Sequence, residues 1–265
     1  MRNLNIGFIG GGNMAEALIS GLLAAGHAPA YVQVTDISSE RLAALEKQYA
    51  IVACKDISTL AAACDVLVLA VKPQHINGVL AELGDVAAAV TLISIAAGVD
   101  SARIISTLGS DAALVRVMPN TACLVGEGMS VLFSEAGDLH RQRAEYVLAS
   151  SGQTAWIDDE QLMHAVTAVS GSGPAYFFLL AELMQVTGQA LGLAPELSKK
   201  LVDQTALGAA KMLKDSGKSA ELLRQQVTSP GGTTQAALET MFEGQFPDVV
   251  RNALVAAAKR SRELA

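Results

Sequence analysis

The feature that most constrains this chain is a glycine triplet, Gly10-Gly11-Gly12, set between a short apolar run and a helical pattern. Leu4 to Ile9 predicts a buried strand, while Ala15, Leu18, Ile19, Leu22 and Leu23 share one helical face. The junction Gly10-Gly11-Gly12-Asn13-Met14-Ala15 fits G-x-G-x-x-G/A. In such a junction Gly10 permits the tight turn and Gly12 lets backbone approach a pyrophosphate. A small residue at Ala15 lets the helix pack close to the strand, and the helix N-terminus favours anionic phosphates. Glycines often connect a strand to a helix with no ligand involved. The strand–turn–helix context, so near the first residue, is what turns the pattern toward a dinucleotide.

The rest of the first half repeats that alternation. Strands are predicted at Tyr31 to Thr35, Val66 to Val71, Thr91 to Ile95 and Leu114 to Met118, with later ones at Val131-Leu132-Phe133 and Thr154 to Ile157. Ser38 or Ser39 caps a helix through Leu42 and Leu45. Short buried strands alternating with helices imply parallel pairing with helices on both faces. Residues 1–158 are therefore expected to form a Rossmann-type, doubly wound, mostly parallel α/β domain. From Asp159 on, periodicity is helical only: Ala175 to Leu191, a helix opened by Pro195 and running toward Gly217, then Ala220 to Val227, Thr234 to Phe242 and Pro247 to Leu264. Residues 159–265 are expected to be all-helical. The stretch Ala175–Leu180 is apolar nearly all round, which demands cover on more than one side, some of it from a second subunit.

Composition bounds the function. The chain has 265 residues, 51% of them hydrophobic, and a net charge of −7, which argues against a nucleic-acid partner. The longest uncharged apolar run, Val86 to Val99, is too short to span a bilayer. Asn13, Glu16 and the three glycines interrupt what would otherwise imitate a secretion signal. Three scattered cysteines offer neither a disulfide framework nor a CxxC pair, and four scattered histidines offer no metal-ligand spacing. A cytoplasmic, metal-free protein is expected.

Ligands of open α/β sheets bind outside the carboxyl ends of the strands. Asp36, at the end of the second strand, can accept hydrogen bonds from an adenosine ribose and repel a 2′-phosphate. Ser38, Ser39 and Arg41 follow at once and can hold such a phosphate, or serve merely as a helix cap and a solvated charge. Val71-Lys72-Pro73, Ser94-Ile95-Ala96-Ala97-Gly98 and Met118-Pro119-Asn120-Thr121 end further strands. Small residues at Ala96, Ala97 and Gly98 admit a flat nicotinamide ring. Lys72 has the chemistry of a catalytic acid, although strand-end lysines are usually surface charges. Asn120 either orients a carboxamide or satisfies a turn. In the helical half, Thr228-Ser229-Pro230-Gly231-Gly232-Thr233-Thr234 precedes a helix. Exposed amides at Gly231 and Gly232, with the hydroxyls of Ser229, Thr233 and Thr234, suit a small carboxylate; a plain polar turn with a Ser/Thr cap is the alternative.

Taken together, Gly7-Phe8-Ile9-Gly10-Gly11-Gly12-Asn13-Met14, Val71-Lys72-Pro73, Ser94-Ile95-Ala96-Ala97-Gly98-Val99, Arg116-Val117-Met118-Pro119-Asn120-Thr121, Ser170-Gly171-Ser172-Gly173-Pro174-Ala175-Tyr176, Gly208-Ala209-Ala210-Lys211-Met212 and Ser229-Pro230-Gly231-Gly232-Thr233-Thr234 resemble the pyrroline-5-carboxylate reductases, in that family's order and over nearly the whole chain. The resemblance implies an interlocked dimer built by the helical half, with room for a larger assembly, and reduction of 1-pyrroline-5-carboxylate to L-proline by NADP(H) or NAD(H). It places Ser229, Gly232, Thr233 and Thr234 at the substrate, and among these Thr234 is the candidate for a hydrogen bond to the ring nitrogen. An imine that enters already protonated needs no strong acid, so positioning and electrostatics suffice. A hydroxyacid dehydrogenase needs a positioned acid/base, and no lysine or histidine stands soon after Ser170-Gly171-Ser172-Gly173. A non-catalytic dinucleotide sensor would have no use for the carboxylate nest.

Overall fold

The computed structural model describes residues 1–109 and 112–264. Among them eight strands form one sheet: β1 (Ile6–Ile9), β2 (Val32–Thr35), β3 (Val52–Ala53), β4 (Val66–Leu69), β5 (Thr91–Ser94), β6 (Ala113–Met118), β7 (Gly128–Phe133) and β8 (Gly152–Trp156). Their spatial order is β3-β2-β1-β4-β5-β6-β7-β8, and every pairing is parallel except β6 with β7. The chain winds outward in both directions from β1, so a crevice opens between β1 and β4 at the carboxyl edge.

The helices between these strands are α1 (Asn13–Ala24), α2 (Ser39–Tyr49), α3 (Ile57–Ala63), α4 (Ile76–Leu83), α5 (Ser101–Leu108) and α6 (Asp138–Ala149). Period-two alternation sends Phe8 and Ile9 to opposite faces. Phe8, Val68, Ile93 and Val115 pack under Leu18 and Leu22 of α1, Leu45 of α2 and Val147 of α6. Ile9, Leu67, Leu69 and Leu92 pack under Leu60 of α3, Leu80 of α4 and Ile104 of α5. Each fully buried side chain of this size contributes roughly 1.5–3 kcal/mol. Start signals are explicit: Ser38, Asp56 and Asp100 each accept a backbone N–H from the first turn of α2, α3 and α5. The two-residue β3 was not expected, because Val52 and Ala53 are exposed and too few to show a period.

The remaining elements are helical: α7 (Met163–Val166), α8 (Gly173–Ala190), α9 (Pro195–Asp215), α10 (Ala220–Gln226), α11 (Thr233–Glu243) and α12 (Phe246–Glu263). The sequence changes character at 158/159, whereas the compact units divide later: one comprises Met1–Ser172 with Ala256–Ala265, the other Gly173–Val255. Hydrogen bonds explain why 159–172 stays with the sheet. Glu160 Oε1 accepts from Ser101 N–H at 2.8 Å, Ser101 Oγ at 2.9 Å and Arg116 Nη1 at 2.7 Å. His164, buried, pairs its Nδ1 with Ser261 Oγ at 3.0 Å, which ties in the end of α12. Burial holds the His164 imidazole below its ordinary pKa, and the Arg116 guanidinium adds to that.

In the second unit, Gly188 of α8 lets Ser198 of α9 approach, and Ser198 Oγ donates to the Gln185 carbonyl at 2.8 Å. The expected burial around 175–180 is not found within one protomer: Phe177 is 70% exposed and Phe178 68%.

Candidate active site

The glycine loop is held by contacts that only glycine allows. Gly10 has φ +100°, and a Cβ there would lie 2.7 Å from the Ala70 carbonyl oxygen. Its N–H donates to the Thr35 carbonyl at 2.8 Å. Gly11 N–H donates to Asp36 Oδ2 at 2.7 Å, while Asp36 Oδ1 accepts from Ser38 N–H at 2.8 Å. Gly12, the N-cap of α1, faces open space, with no atom within 4 Å of where a Cβ would stand. Gly10 and Gly11 therefore shape the loop from below, and Gly12 is the position left clear for an approaching group.

Arg41 is not the solvated charge of the plainer reading. Its Nε donates to the Gly11 carbonyl at 2.5 Å and its Nη2 pairs with Glu16. The Arg41 hydrogen bond holds the Glu16 carboxyl below the ordinary carboxylate range against a smaller opposing effect of burial. Ser38 caps α2 as expected, its Oγ accepting from Arg41 N–H at 3.2 Å.

A cavity of about 530 Å³ opens beside the loop. Of the residues expected at a cofactor, Gly12, Asn13, Met14, Val71, Lys72, Met118, Pro119 and Asn120 line it, brought together from α1 and the ends of β4 and β6. Asp36, Gly10, Gly11 and Pro73 do not line it. Neither do Ala96 and Ala97; Ala96 is 4% exposed and belongs to the apolar cluster on the α4 and α5 face. Ala70, Ile95, Thr121 and Gly171 complete the wall. Ile95, Thr121 and Gly171 stand inside segments already singled out as unusual, so a signal for them existed; Ala70 carried none beyond strand pattern.

The Asn120 side chain is bonded on both ends. Oδ1 accepts from Met129 N–H at 3.2 Å, and Nδ2 donates to the Ser170 carbonyl at 3.3 Å with a longer contact of 3.5 Å to Ser170 Oγ. Ser170 and Gly171 end a π-helical turn, Thr167–Gly171, in which Ser172 N–H reaches back to the Thr167 carbonyl at 2.8 Å. A Cβ at Gly171 would fall on Met118 Cε.

The Ser229–Thr234 segment belongs to the second compact unit. Gly231 has φ +72°, and its N–H donates to Gln235 Oε1 at 2.7 Å; Gly232 N–H donates to the Ser229 carbonyl at 3.0 Å. Those two amides serve the loop itself. The amides of Thr233 and Thr234 open α11, where helix geometry leaves donors without intrahelical partners. Gln235 is a residue that sequence reasoning missed. Its place three residues after the Gly232 cap is the glutamine position of a capping box, which was the available signal.

Among the described residues no cluster of three or more His, Cys, Asp or Glu side chains forms a metal site, and no helix is long and apolar enough to cross a membrane. Cys54, Cys64 and Cys123 are free and buried; burial pushes the Cys64 thiol up to about 12.

A doubly wound sheet with a glycine turn at its first strand and a cavity at the switch-point crevice defines a dinucleotide-binding protein of the oxidoreductase type. The family model described as NADP oxidoreductase, coenzyme F420-dependent, matches residues 5–98, and that described as pyrroline-5-carboxylate reductase dimerisation matches residues 160–264. The pyrroline-5-carboxylate reductase of Pseudomonas aeruginosa is 42% identical, covering 100% of this chain and 98% of the relative. That of Haemophilus influenzae is 41% identical over the same shares. Among solved structures, the pyrroline-5-carboxylate reductase of Coxiella burnetii superposes with a TM-score of 0.91 at 37% identity, covering 99% of both chains. The Plasmodium falciparum pyrroline carboxylate reductase with NADP bound gives 0.90 at 33% identity, covering 100% of this chain and 99% of that one. The chain belongs to the pyrroline-5-carboxylate reductase family.

Proposed function

We propose that this chain reduces 1-pyrroline-5-carboxylate to L-proline with NADH or NADPH, the last step of proline synthesis. The observation that carries the reading is the cavity bounded by Gly12-Asn13-Met14 at the start of α1 and by the ends of β4 and β6, in a chain of this family. The reduced nicotinamide, when bound, supplies the hydride that converts the protonated C=N carbon to CH–NH. The chain's part is positioning. The N-terminus of α1 would hold the anionic pyrophosphate, with Gly10, Gly11 and Asp36 keeping the loop in shape. Val71, Lys72, Met118, Pro119 and Asn120 would shape the nicotinamide end of the cavity. Ser229, Thr233 and Thr234 would take the substrate, the carboxylate on the first-turn amides of α11 and the ring nitrogen on the Thr234 hydroxyl, with Gly231 and Gly232 shaping the loop beneath them. Residues 159–265 then serve substrate binding and homodimerisation, with the exposed apolar side of α8, Phe177 and Phe178 included, against a second copy. Three free, buried thiols suit the reducing cytoplasm.

The test follows NADH and NADPH oxidation by absorbance with pyrroline-5-carboxylate, with a keto acid, and with neither. Oxidation is expected with the imine alone; turnover of the keto acid instead, or of nothing, overturns the proposal. Thr234→Ala is expected to lower kcat by about tenfold or more while dinucleotide affinity stays put.

A further inference from the structure

Asn120 sits on the cavity wall with an amide that could face a ligand, yet that amide is already bonded on both ends. Its oxygen takes Met129 N–H at the start of β7, and its nitrogen gives a hydrogen to the Ser170 carbonyl. We infer that Asn120 is a positioning residue: it clasps the π-helical turn 167–171 to the end of β6 and so sets Gly171 as the wall of the cavity at the nicotinamide end. This deepens the proposed function and rests on that reading of the cavity.

Several independent features converge on the clasp. A π-turn stores one residue more than an α-turn and recurs at functional sites, because it turns a backbone segment away from the helix axis. Here the turn delivers Gly171 to the cavity and Ser170 to Asn120. Met118 Cε lies where a Gly171 Cβ would stand, so the methionine tip fills the space the glycine leaves, and Met118 lines the same cavity. The wall is thus an interlock of Met118, Asn120 and Gly171, with Asn120 supplying its polar tie.

Topology says which half of a dinucleotide feels this wall. The glycine loop follows β1, and β2, which leads into Asp36, lies on one side of it; β4, β5 and β6 lie on the other. In a doubly wound fold the ribose next to the acidic residue of β2 belongs to the adenosine, so the nicotinamide half lies toward β4–β6. Met118, Asn120 and Gly171 are therefore expected to act on the nicotinamide half alone.

The experiment compares Asn120→Asp, Ser170→Ala and the wild-type chain by calorimetric titration with NADPH and with 2′-phospho-ADP-ribose, which lacks the nicotinamide. Asn120→Asp keeps the acceptor for Met129 N–H but turns a carboxylate oxygen on the Ser170 carbonyl. It is expected to weaken NADPH binding about tenfold and to leave 2′-phospho-ADP-ribose unchanged; tenfold corresponds to about 1.4 kcal/mol. Ser170→Ala keeps the carbonyl and should bind both ligands like the wild type. A general loosening of the fold would weaken both ligands in Asn120→Asp and so overturns the inference. So does an Asn120→Asp chain that binds NADPH normally, or a Ser170→Ala chain that loses as much. A wild-type chain that binds neither ligand sinks the dinucleotide reading itself, and that outcome is distinct from the others.

Discussion

The two compact units satisfy their apolar side chains in different ways. In the sheet-bearing unit Ile6, Phe8, Leu18, Leu67 and Leu80 are all at most 1% exposed, covered by helices from the same chain. In Gly173–Val255 the buried apolar side chains are few, Val202 and Leu223 among them, while Phe177, Phe178, Leu179, Leu183, Val186 and Leu191 are all more than half exposed. The first unit closes its own core. The second presents an apolar surface that includes two phenylalanines, and its span falls inside the matched dimerisation region. Burial is complete within the folded chain in one unit and left open in the other.

The largest effect should come from that open surface. Placing charge on α8 with Phe177→Asp and Phe178→Asp should abolish the oligomer and lower activity at least about tenfold, since subunits that lack folded monomers lose structure with their partner. Sedimentation gives the mass and circular dichroism the helix content. A double variant that remains oligomeric and active would show that these phenylalanines face solvent in the assembly, and the contrast between the units would fall.

Much of that contrast was legible in the residues. A continuous apolar run of strand length such as Val66 to Val71, stopped by Lys72-Pro73, reads as a strand covered on both faces, and 175–180 is too apolar all round for a lone surface helix. The clear position at Gly12 and the wall residues Met118 and Asn120 were legible because strand ends carry ligands in such sheets. What could not be seen was tertiary. The π-turn at Thr167–Gly171 differs from an α-turn by one residue, which hydrophobic periodicity does not register. Ala96 points into the core because β5 hands it to the apolar side, a matter of register beyond the strand's end. Gly231 and Gly232 spend their amides on Gln235 and Ser229, a choice that a list of candidate donors cannot anticipate.

A middle-sized effect sharpens where the first unit ends. Glu160 belongs by periodicity to the helical half, but its carboxylate is committed to Arg116 and Ser101 of the sheet half, and the Arg116 side chain is only 6% exposed. Removing one partner of such a pair leaves an uncompensated buried charge, at a cost of about 3 kcal/mol. Glu160→Gln should therefore lower the denaturant midpoint without changing the assembly mass. Replacing both partners by leucine should recover part of the loss, because the isolated charge is then gone. If Glu160→Gln unfolds at the wild-type midpoint, the segment 159–172 is held to the sheet by something other than this pair.

The smallest effect is a change of slope with pH, and it belongs to the self-contained core. His27 is 2% exposed, with its Nδ1 2.9 Å from the Tyr146 hydroxyl. Burial is the main cause that holds its pKa below the ordinary 6.5. The unfolded chain therefore binds the proton more readily than the folded one, so stability is complete above about 6.5 and falls as pH drops toward the folded-state value. Phenylalanine at this position cannot charge. His27→Phe should lose less melting temperature than the wild type between neutral pH and pH 5, whatever its stability at pH 8. His140 and His164 are lowered in the same direction, also chiefly by burial, so some acid sensitivity should persist in the variant. Parallel melting curves for the two chains across that window would mean that His27 stays neutral, or charges freely, in both states. The acid sensitivity would then belong to His140, to His164, or to the surface that α8 presents.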